Sequence, residues 1–438
     1  MLKHKVQIPS LNSTRANILW ATTSQTIEKL AGYLVIAVLT RTLLKSDLGT
    51  IFFALSIAEI SATIWNFGSD SLLIRLVAAE PKDAFSHFGR ILSTRLLNIA
   101  VGYVILCLGV WLLQPKLLPV LALVAAYDYL EEIYFCFLAF FTGQKRQFYR
   151  LVMFGGFKVL AFGAISLTAF LTHSVFMVLW TYVFLNLLLV LVAFILVRRQ
   201  YGPIELRLDL RASLGMMNLS VPFFLINFLT ILHMRFDTVL VGLLLGLQQV
   251  AGYELGVKMM EVARFVVRPL HSVFFPVFSE YVAKGEWTKL RARFYLLVVC
   301  VLAVGCMLTI GMQLFGARLL ALLFGPNYQE SVLPAQILFL SIPMMYVSLL
   351  CTTLALSMHR ERLSALLLGI CVSLNLGLNF LLIPRFGTSG AAWATVVSQA
   401  LLMISMVGLI LKPLLRPLRL QPASAPPSAE DLTPPTLP

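Results

Sequence analysis

Charge is scarce in this chain. Only 12% of its 438 residues are Asp, Glu, Lys or Arg, about half of the roughly 25% that soluble domains carry. Long polar stretches are scarce too. Apolar runs recur from Ile18 to Leu411, 59% of the residues are hydrophobic, and the mean hydropathy is +0.88. A separate soluble domain is thereby excluded, and nearly the whole chain belongs in a bilayer. Acidic residues are the rarer sign, 20 against 34 basic ones. The resulting charge of +14 does not make nucleic acid a partner, because the basic residues sit in short loops between apolar runs rather than on one face. Closely spaced cysteines are missing as well. Cys107, Cys136, Cys300, Cys306, Cys351 and Cys371 all fall within apolar runs and none forms a CxxC, so they read as small packing residues and not as disulfides or metal ligands. No cofactor is implied. No cleavable signal is evident, since residues 1–16 are polar and basic and the stretch after them is too long for an h-region.

What is present is a succession of apolar segments. We place twelve spans at 17–40, 50–72, 91–113, 117–141, 151–171, 176–197, 214–243, 250–275, 292–315, 332–356, 363–383 and 387–411, each able to cross about 30 Å of hydrocarbon, which takes roughly 20 helical residues. A bend is expected near Pro222 in the long seventh span. With the N-terminus inside, the cytoplasmic segments hold 23 Lys and Arg, including Arg95, and the outer loops hold five. That asymmetry supports an even count with both termini in the cytoplasm and a multi-pass protein of the cytoplasmic membrane. The two halves look related. Gly143-Gln144-Lys145-Arg146-Gln147 before span 5 matches Met358-His359-Arg360-Glu361-Arg362 before span 11 at an offset of 215, and the longest loops, 73–90 and 276–291, follow spans 2 and 8. The expected fold is therefore an all-α integral membrane protein. Its twelve transmembrane helices form two six-helix lobes, 1–197 and 214–412, related as a parallel pseudo-repeat around a central cavity. Residues 198–213 link the lobes on the cytoplasmic side. The segment 413–438, with six prolines in its last 18 residues, reads as a disordered tail.

The scarce charges are not scattered. In span 8, Glu254, Lys258, Glu261, Arg264 and Arg268 fall within an arc of roughly 120° at helical spacing. A charge at bilayer depth costs about 2.5–3.5 kcal/mol, so this stripe should face protein or a water-filled cavity. Its members sit at i,i+3 or i,i+4 and can partly neutralise each other, with one positive charge left over. Arg suits phosphate through its planar, bidentate donors; the bland reading of Arg268 is a side chain snorkelling to the interface. Span 7 adds His233, Arg235 and Asp237; the bland reading of Arg235 and Asp237 is that they pair with each other or lie at the outer interface.

The first half is acidic at depth. Span 2 carries Glu59, Asn66 and Asp70 on one face, span 4 carries Asp128, Glu131 and Glu132, span 1 carries Glu28 and Lys29, and span 5 carries Lys158. Glu28 and Lys29 can pair with partners on other spans. Carboxylates this close in a low dielectric cannot all stay ionised, which is what a proton-coupling site needs. The alternative is an interhelical hydrogen-bond network. Tyr127, Tyr129 and Tyr134 surround the span 4 acids. Asn375 and Asn379 are spaced to glue helices.

Two stretches resemble the multidrug/oligosaccharidyl-lipid/polysaccharide exporter superfamily. Phe236-Asp237-Thr238-Val239-Leu240-Val241-Gly242, followed by Val250-Ala251-Gly252-Tyr253, is similar to the signature of its seventh and eighth spans. Asn375 through Asn379, Leu382-Ile383-Pro384, Gly387, Gly390-Ala391-Ala392 and Ala394-Thr395 resembles the signature around spans 11 and 12. Thr40-Arg41-Thr42-Leu43, Asp47-Leu48-Gly49 and Phe324-Gly325-Pro326-Asn327-Tyr328 add support. Within the superfamily the chain looks most like the polysaccharide transporters, including Wzx-type flippases. That resemblance implies a transporter and not an enzyme, working by alternating access on an oligosaccharide carried by an undecaprenyl-type pyrophosphate. It implies basic cavity residues for the anionic cargo, here Lys258, Arg264 and Arg268 with Arg235. The acids Glu59, Asp128, Glu131 and Glu132 are then candidates for coupling to a proton or Na+, and Glu254, Glu261, Glu28 and Lys29 for charge pairing in the cavity. A polysaccharide polymerase or glycosyltransferases would be the protein partners. The rivals are a cation-coupled multidrug exporter, a lipid II flippase of the same fold, a scaffold of a polysaccharide synthase, and a membrane prenyl or sugar transferase. The last would need paired aspartate-rich motifs or a large catalytic loop. Asp128-x-x-Glu131-Glu132 is a single partial match.

Overall fold

The computed structural model describes residues 14–206 and 210–415. Among these the regular structure is entirely helical: α1 (Thr14–Thr42), α2 (Lys45–Asn66), α3 (Ser69–Ala79), α4 (Ala84–Leu113), α5 (Leu118–Gly143), α6 (Gln147–Arg150), α7 (Gly156–Thr172), α8 (Val175–Tyr201), α9 (Leu210–Leu245), α10 (Leu247–Lys284), α11 (Trp287–Phe324), α12 (Val332–Phe339), α13 (Ile342–Ser357), α14 (Glu361–Phe386) and α15 (Thr388–Leu415). A π-turn over Leu151–Gly155 joins α6 to α7. Large apolar side chains such as Leu160, Leu171, Val299, Met307 and Leu322 lie exposed along the helices. A surface of that kind is stable only against lipid, where every backbone group must be satisfied within a helix. Among the described residues nine segments are long and apolar enough to cross a membrane. The other three predicted crossings are α1, α5 and α10, which carry Glu28 and Lys29, the acids of span 4, and the charged stripe. The protein is an all-α, multi-pass membrane protein.

Several expectations need correction. The second span is two helices, because Phe67 and Gly68 both adopt positive φ (51° and 70°). A Cβ on Gly68 would meet the Phe224 nitrogen at 2.6 Å, so α9 crosses there against bare backbone. Phe67 lacks that freedom, and its left-handed conformation costs roughly 1–2 kcal/mol. Its ring stacks on Phe224 at 4.4 Å, which offsets part of this. The tenth span is likewise split, between α12 and α13 at Leu340–Ser341. The supposed long loops 73–90 and 276–291 are mostly helix, and Pro222, Pro269 and Pro276 all lie inside helices. The linker 198–213 is the end of α8, a short non-helical stretch and the start of α9, with residues 207–209 outside the described set; of the tail, 416–438 lie outside it.

Two helix ends, one in each half, share a backbone conformation. Lys145 and His359 both have positive φ (58° and 56°). Arg146 N donates to Phe141 O and Lys145 N to Thr142 O; Arg360 N donates to Ala355 O and His359 N to Leu356 O. Both are Schellman endings, and α10 ends in a third at Gly285, with Gly285 N to Val282 O and Glu286 N to Tyr281 O.

Candidate functional site: a charged cavity among apolar helices

The charges at depth converge. A cavity of about 470 Å³ is lined by Glu28 and Lys29 of α1, Glu59 of α2, Asp128, Glu131 and Glu132 of α5, Lys158 of α7, Arg235 of α9, and Lys258 and Glu261 of α10. Six carboxylates face four cations, a formal excess of two negative charges. The acids expected in the first half and Lys258 and Arg235 of the second thus line one cavity.

Arg235 is the electrostatic centre. Its Nε and Nη2 fork onto Glu59, with Nη2 to Oε1 at 3.1 Å, and its Nη1 reaches Glu254 at 2.8 Å and Glu261 at 3.6 Å. One guanidinium thus ties α2 to α9 and α10. Lys258 is held at 3.2 Å by both Glu254 and Glu261. Arg235 is 9% exposed and Lys258 6%. A charge so far out of water persists only when paired, since desolvation alone costs several kcal/mol per ion. Glu254 also accepts from Thr238 at 2.7 Å, which completes its coordination.

Arg235 does not pair with Asp237. Two positions along a helix turn a side chain by about 200°, and this sends Asp237 to a separate, buried knot. Asn379 donates to its Oδ1 at 2.6 Å, and Thr395 and Tyr253 donate to its Oδ2 at 2.8 and 3.2 Å. Four helices, α9, α10, α14 and α15, meet on this carboxylate. The motif residues of spans 7, 8, 11 and 12 therefore form one packing element. Asn379 also donates to Asn375 Oδ1 at 3.1 Å, as the i,i+4 spacing leads one to expect.

Further along the stripe the side chains leave the cavity lining. Arg264 does not line the cavity; its Nη2 approaches the Met260 sulfur at 4.0 Å and its Nε has no hydrogen-bond partner among the described residues. The Arg268 side chain lies outside the described residues. On the acidic side, Lys158 Nζ donates to both oxygens of Glu131 at 3.0 Å. Glu132 accepts from Asn66 at 2.5 Å. Asn66 in turn belongs to a cluster around Arg95, which donates to Asn66 Oδ1 at 2.9 Å and the Glu132 carbonyl at 2.7 Å and pairs with Asp70 at 2.7 Å. Arg95, expected in a cytoplasmic segment, is 2% exposed and buried in α4. Its carboxylate partner is what permits that burial. Glu28 and Lys29 line the cavity but make no ion pair among the described residues.

Of the three tyrosines near the acids, only Tyr127 faces the cavity. Tyr129 hydrogen-bonds Ser61 at 2.6 Å, and Tyr134 is fully buried against Phe154. Sequence reasoning missed Tyr182 and Asn186 of α8, which also line the cavity. A signal for Asn186 was available: it stands alone in an apolar run from Val183 to Val197, and an isolated polar residue at such depth usually faces an interior.

On the side where α1 ends and α2 begins, contacts bridge the first and second halves of the chain. Arg41 Nη2 donates to the Leu322 carbonyl at 2.6 Å, and Lys45 pairs with Glu330. α2 and α10 also touch backbone to backbone there, since a Cβ on Gly49 would meet the Leu247 oxygen at 1.8 Å.

With this geometry in hand the chain can be set beside known proteins. The family profile described as polysaccharide biosynthesis protein matches residues 14–282. The chain belongs to that family. Among curated proteins, an uncharacterized membrane protein of Methanocaldococcus jannaschii is 28% identical over 163 residues, which is 37% of this chain and 32% of that protein; the match thus spans about a third of that relative's length. Solved structures of similar fold include an inward-facing multidrug resistance MATE family transporter of the MOP superfamily (TM-score 0.67, 12% identity, 90% of this chain and 98% of that one). Another is a Pyrococcus furiosus MOP superfamily transporter described as having a binding pocket of reversed polarity (TM-score 0.62, 11% identity, 92% and 97%). A third is a point mutant of the Vibrio cholerae MATE transporter VcmN (TM-score 0.58, 14% identity, 92% and 97%). At these identities the likeness is one of fold. It agrees with the superfamily that the motifs resemble.

Proposed function

We propose that this polysaccharide biosynthesis family member is a flippase that moves a polyprenyl-pyrophosphate-linked oligosaccharide across the cytoplasmic membrane, with both termini on the cytoplasmic side. The observation that carries the reading is the charged cavity inside an otherwise apolar helix bundle. A polyprenyl tail can remain in lipid, whereas a sugar–pyrophosphate head needs a polar route, and buried charge is sustained only where it serves or is compensated. Lys258 and Arg235 line the cavity and are the cations we assign to the pyrophosphate, with Arg264 and Arg268 further along α10. Glu254 and Glu261 balance them. The anion would compete with carboxylates for Arg235, loosening the tie between α2 and α9–α10. We take the two six-helix lobes, 1–197 and 214–412, to be the bodies that rock. In this reading the contacts of Arg41 and Lys45 hold the outer side together and the cargo enters from the cytoplasm. Protonation within the group Glu59, Asp128, Glu131 and Glu132, or Na+ held there, resets the cycle, with Glu28 and Lys29 as neighbouring charges. Polymerase or glycosyltransferase partners would supply and consume the cargo.

The second reading is a cation-coupled drug exporter of the same fold. The excess of carboxylates favours it, and the four cations in the same wall weigh against it. Proteoliposome flipping of a labelled lipid-pyrophosphate oligosaccharide separates the two. Wild type should flip, Arg235→Gln with Lys258→Ala should not, and neutralising the four acids together should abolish the response to a pH gradient. Gradient-driven export of organic cations without lipid flipping would favour the exporter. Unchanged flipping after neutralisation of all four acids would remove the coupling role.

A further inference from the structure

Arg95 is a cation that no step of the transport cycle described above uses. It is not among the residues that line the large cavity, and its side chain is fully enclosed, so it cannot touch a cargo there. Its bonds nevertheless lead to one cavity acid. Nη1 donates to the backbone carbonyl of Glu132 at 2.7 Å. Nη2 donates to Asn66 Oδ1 at 2.9 Å and to Ser69 Oγ at 2.5 Å, and it pairs with Asp70 at 2.7 Å. Asn66 is the middle link. A guanidinium only donates, so the end of the amide that meets Arg95 is the oxygen, to which Ser69 Oγ also donates at 3.1 Å. The nitrogen is thereby turned the other way, and it donates to Asp70 Oδ2 at 3.0 Å and to Glu132 Oε2 at 2.5 Å. Both lone pairs and both hydrogens of the amide are engaged, which fixes its orientation. Glu132 Oε2 is therefore held, and Oε1 is the oxygen left to the cavity that Glu132 lines.

The other three acids lack this arrangement. Glu59 is forked by Arg235, and Glu131 holds Lys158 through both oxygens at 3.0 Å. A proton on either would break a buried ion pair, which is costly. Asp128 accepts no hydrogen bond among the described residues, and its Oδ2 is buried without a partner, so nothing orients it. Glu132 forms no ion pair among the described residues, yet one of its oxygens is anchored. The charged and titratable groups around it are Asp70 of α3, Arg95 of α4, Asp128, Glu131 and Cys136 of its own helix, and Glu59 of α2 in the same cavity wall. The one fixed partner of its carboxyl is a donor, whereas a hard metal ion takes a shell of acceptor oxygens. That partner suits a proton.

We propose that Arg95 and Asn66 are positioning residues that aim Glu132 Oε1 at the cavity and so make Glu132, of the four acids, the one that exchanges the coupling proton. The proposal rests on the ion-coupled flippase reading for its place in the cycle, but the aim of the carboxyl can be measured without cargo. Infrared difference spectra, acid minus neutral, of the full-length protein in nanodiscs give the carboxyl C=O band that disappears in Glu132→Gln. In wild type Asn66 donates to the oxygen that keeps the double bond. Asn66→Leu should therefore move the band to higher frequency, and Asn66→Gln, which offers an amide on a longer arm, should bring it back in part. Arg95→Lys keeps a charge for Asp70 but has no fork to orient Asn66; it should shift the band the same way, and it serves where Asn66→Leu does not fold. A residue that only stabilised the fold would leave the band in place. The second readout is the ratio of flipping with and without a pH gradient, in proteoliposomes holding the labelled lipid-pyrophosphate oligosaccharide. Asn66→Leu should bring this ratio close to that of Glu132→Gln, and the double variant should fall no lower, because the two changes break one chain of contacts. No band that Glu132→Gln removes, a band unmoved by Asn66→Leu, or a further loss in the double variant overturns the positioning role. A shifted band in a protein that does not flip the lipid retains the aim of the carboxyl and overturns the flippase reading.

Discussion

Arg235 offers the sharpest test of how this cavity is held together. It is shared by Glu59, Glu254 and Glu261, so its removal and the removal of one partner should not be equivalent. In Arg235→Gln, Lys258 still serves Glu254 and Glu261, but Glu59 loses its only ion-pair partner among the described residues. Breaking a buried pair from one side costs about 3–5 kcal/mol, because the survivor is an uncompensated charge. In Glu59→Gln the amide oxygen can still accept from Arg235, which keeps its other two carboxylates, so the loss should be about 1–2 kcal/mol, that of a charged hydrogen bond weakened to a neutral one. The double variant replaces ion with amide on both sides. It should be more stable than the sum of the single changes by about 1–3 kcal/mol, the size of coupling found between touching residues. Reversible unfolding of the purified protein in mixed micelles, titrated with SDS and followed by helical circular dichroism, measures all three. If Arg235→Gln is no worse than Glu59→Gln, or if the two changes add, the guanidinium does not tie the halves and the account of the cavity fails.

Three further outcomes follow from the packing. Gly49→Ala should yield little monodisperse protein by size-exclusion chromatography, because the added carbon would overlap the Leu247 carbonyl, whereas Gly163→Ala, with open space around it, should be neutral or up to about 1 kcal/mol stabilising as a helix substitution. Asp237→Asn should cost about 1–3 kcal/mol by the same unfolding titration, since its amide nitrogen would face a donor from Asn379, Thr395 or Tyr253; an unchanged midpoint would show that the knot is not stabilising. Cysteines at Lys45 and Glu330, joined by a short cleavable bis-thiol reagent, should stop transport in proteoliposomes and restore it on cleavage, while transport through the cross-linked protein would mean that the halves do not part there.

Much of the fold could be read from composition because lipid imposes a simple rule. A helix must cross in about 20 residues and show hydrocarbon outward, and that constraint is written locally in every span. The stripe on α10 was legible for the same reason: at about 100° per residue, Glu254, Lys258 and Glu261 share a face whatever they touch. Asn375 and Asn379 were legible as interhelical glue by spacing. The break at Phe67–Gly68 was read through, although Asn66, Gly68, Ser69, Asp70 and Ser71 are turn and helix-start residues, because the apolar run continues across it; what fixes its place is the passage of Phe223 and Phe224 of α9. Arg95 was misassigned because a lone arginine near a span end looks like a loop residue until Asp70 and Asn66 are seen around it.

The site divides in the same way. Sequence alone determined that the chain is a bundle of membrane helices, that its few charges lie at depth on defined faces, and which motifs it shares with the exporter superfamily. Only the tertiary structure decided the pairing: Glu59 with Arg235 across 176 positions, Asp237 with Asn379 and Thr395 instead of its neighbour, Lys158 with Glu131. It also decided which of the charges at depth share one cavity. The physical reason is that helical periodicity is a short-range property carried by the backbone, whereas charge compensation is settled by whichever opposite charge folding brings within about 4 Å, where the low dielectric makes the choice strong.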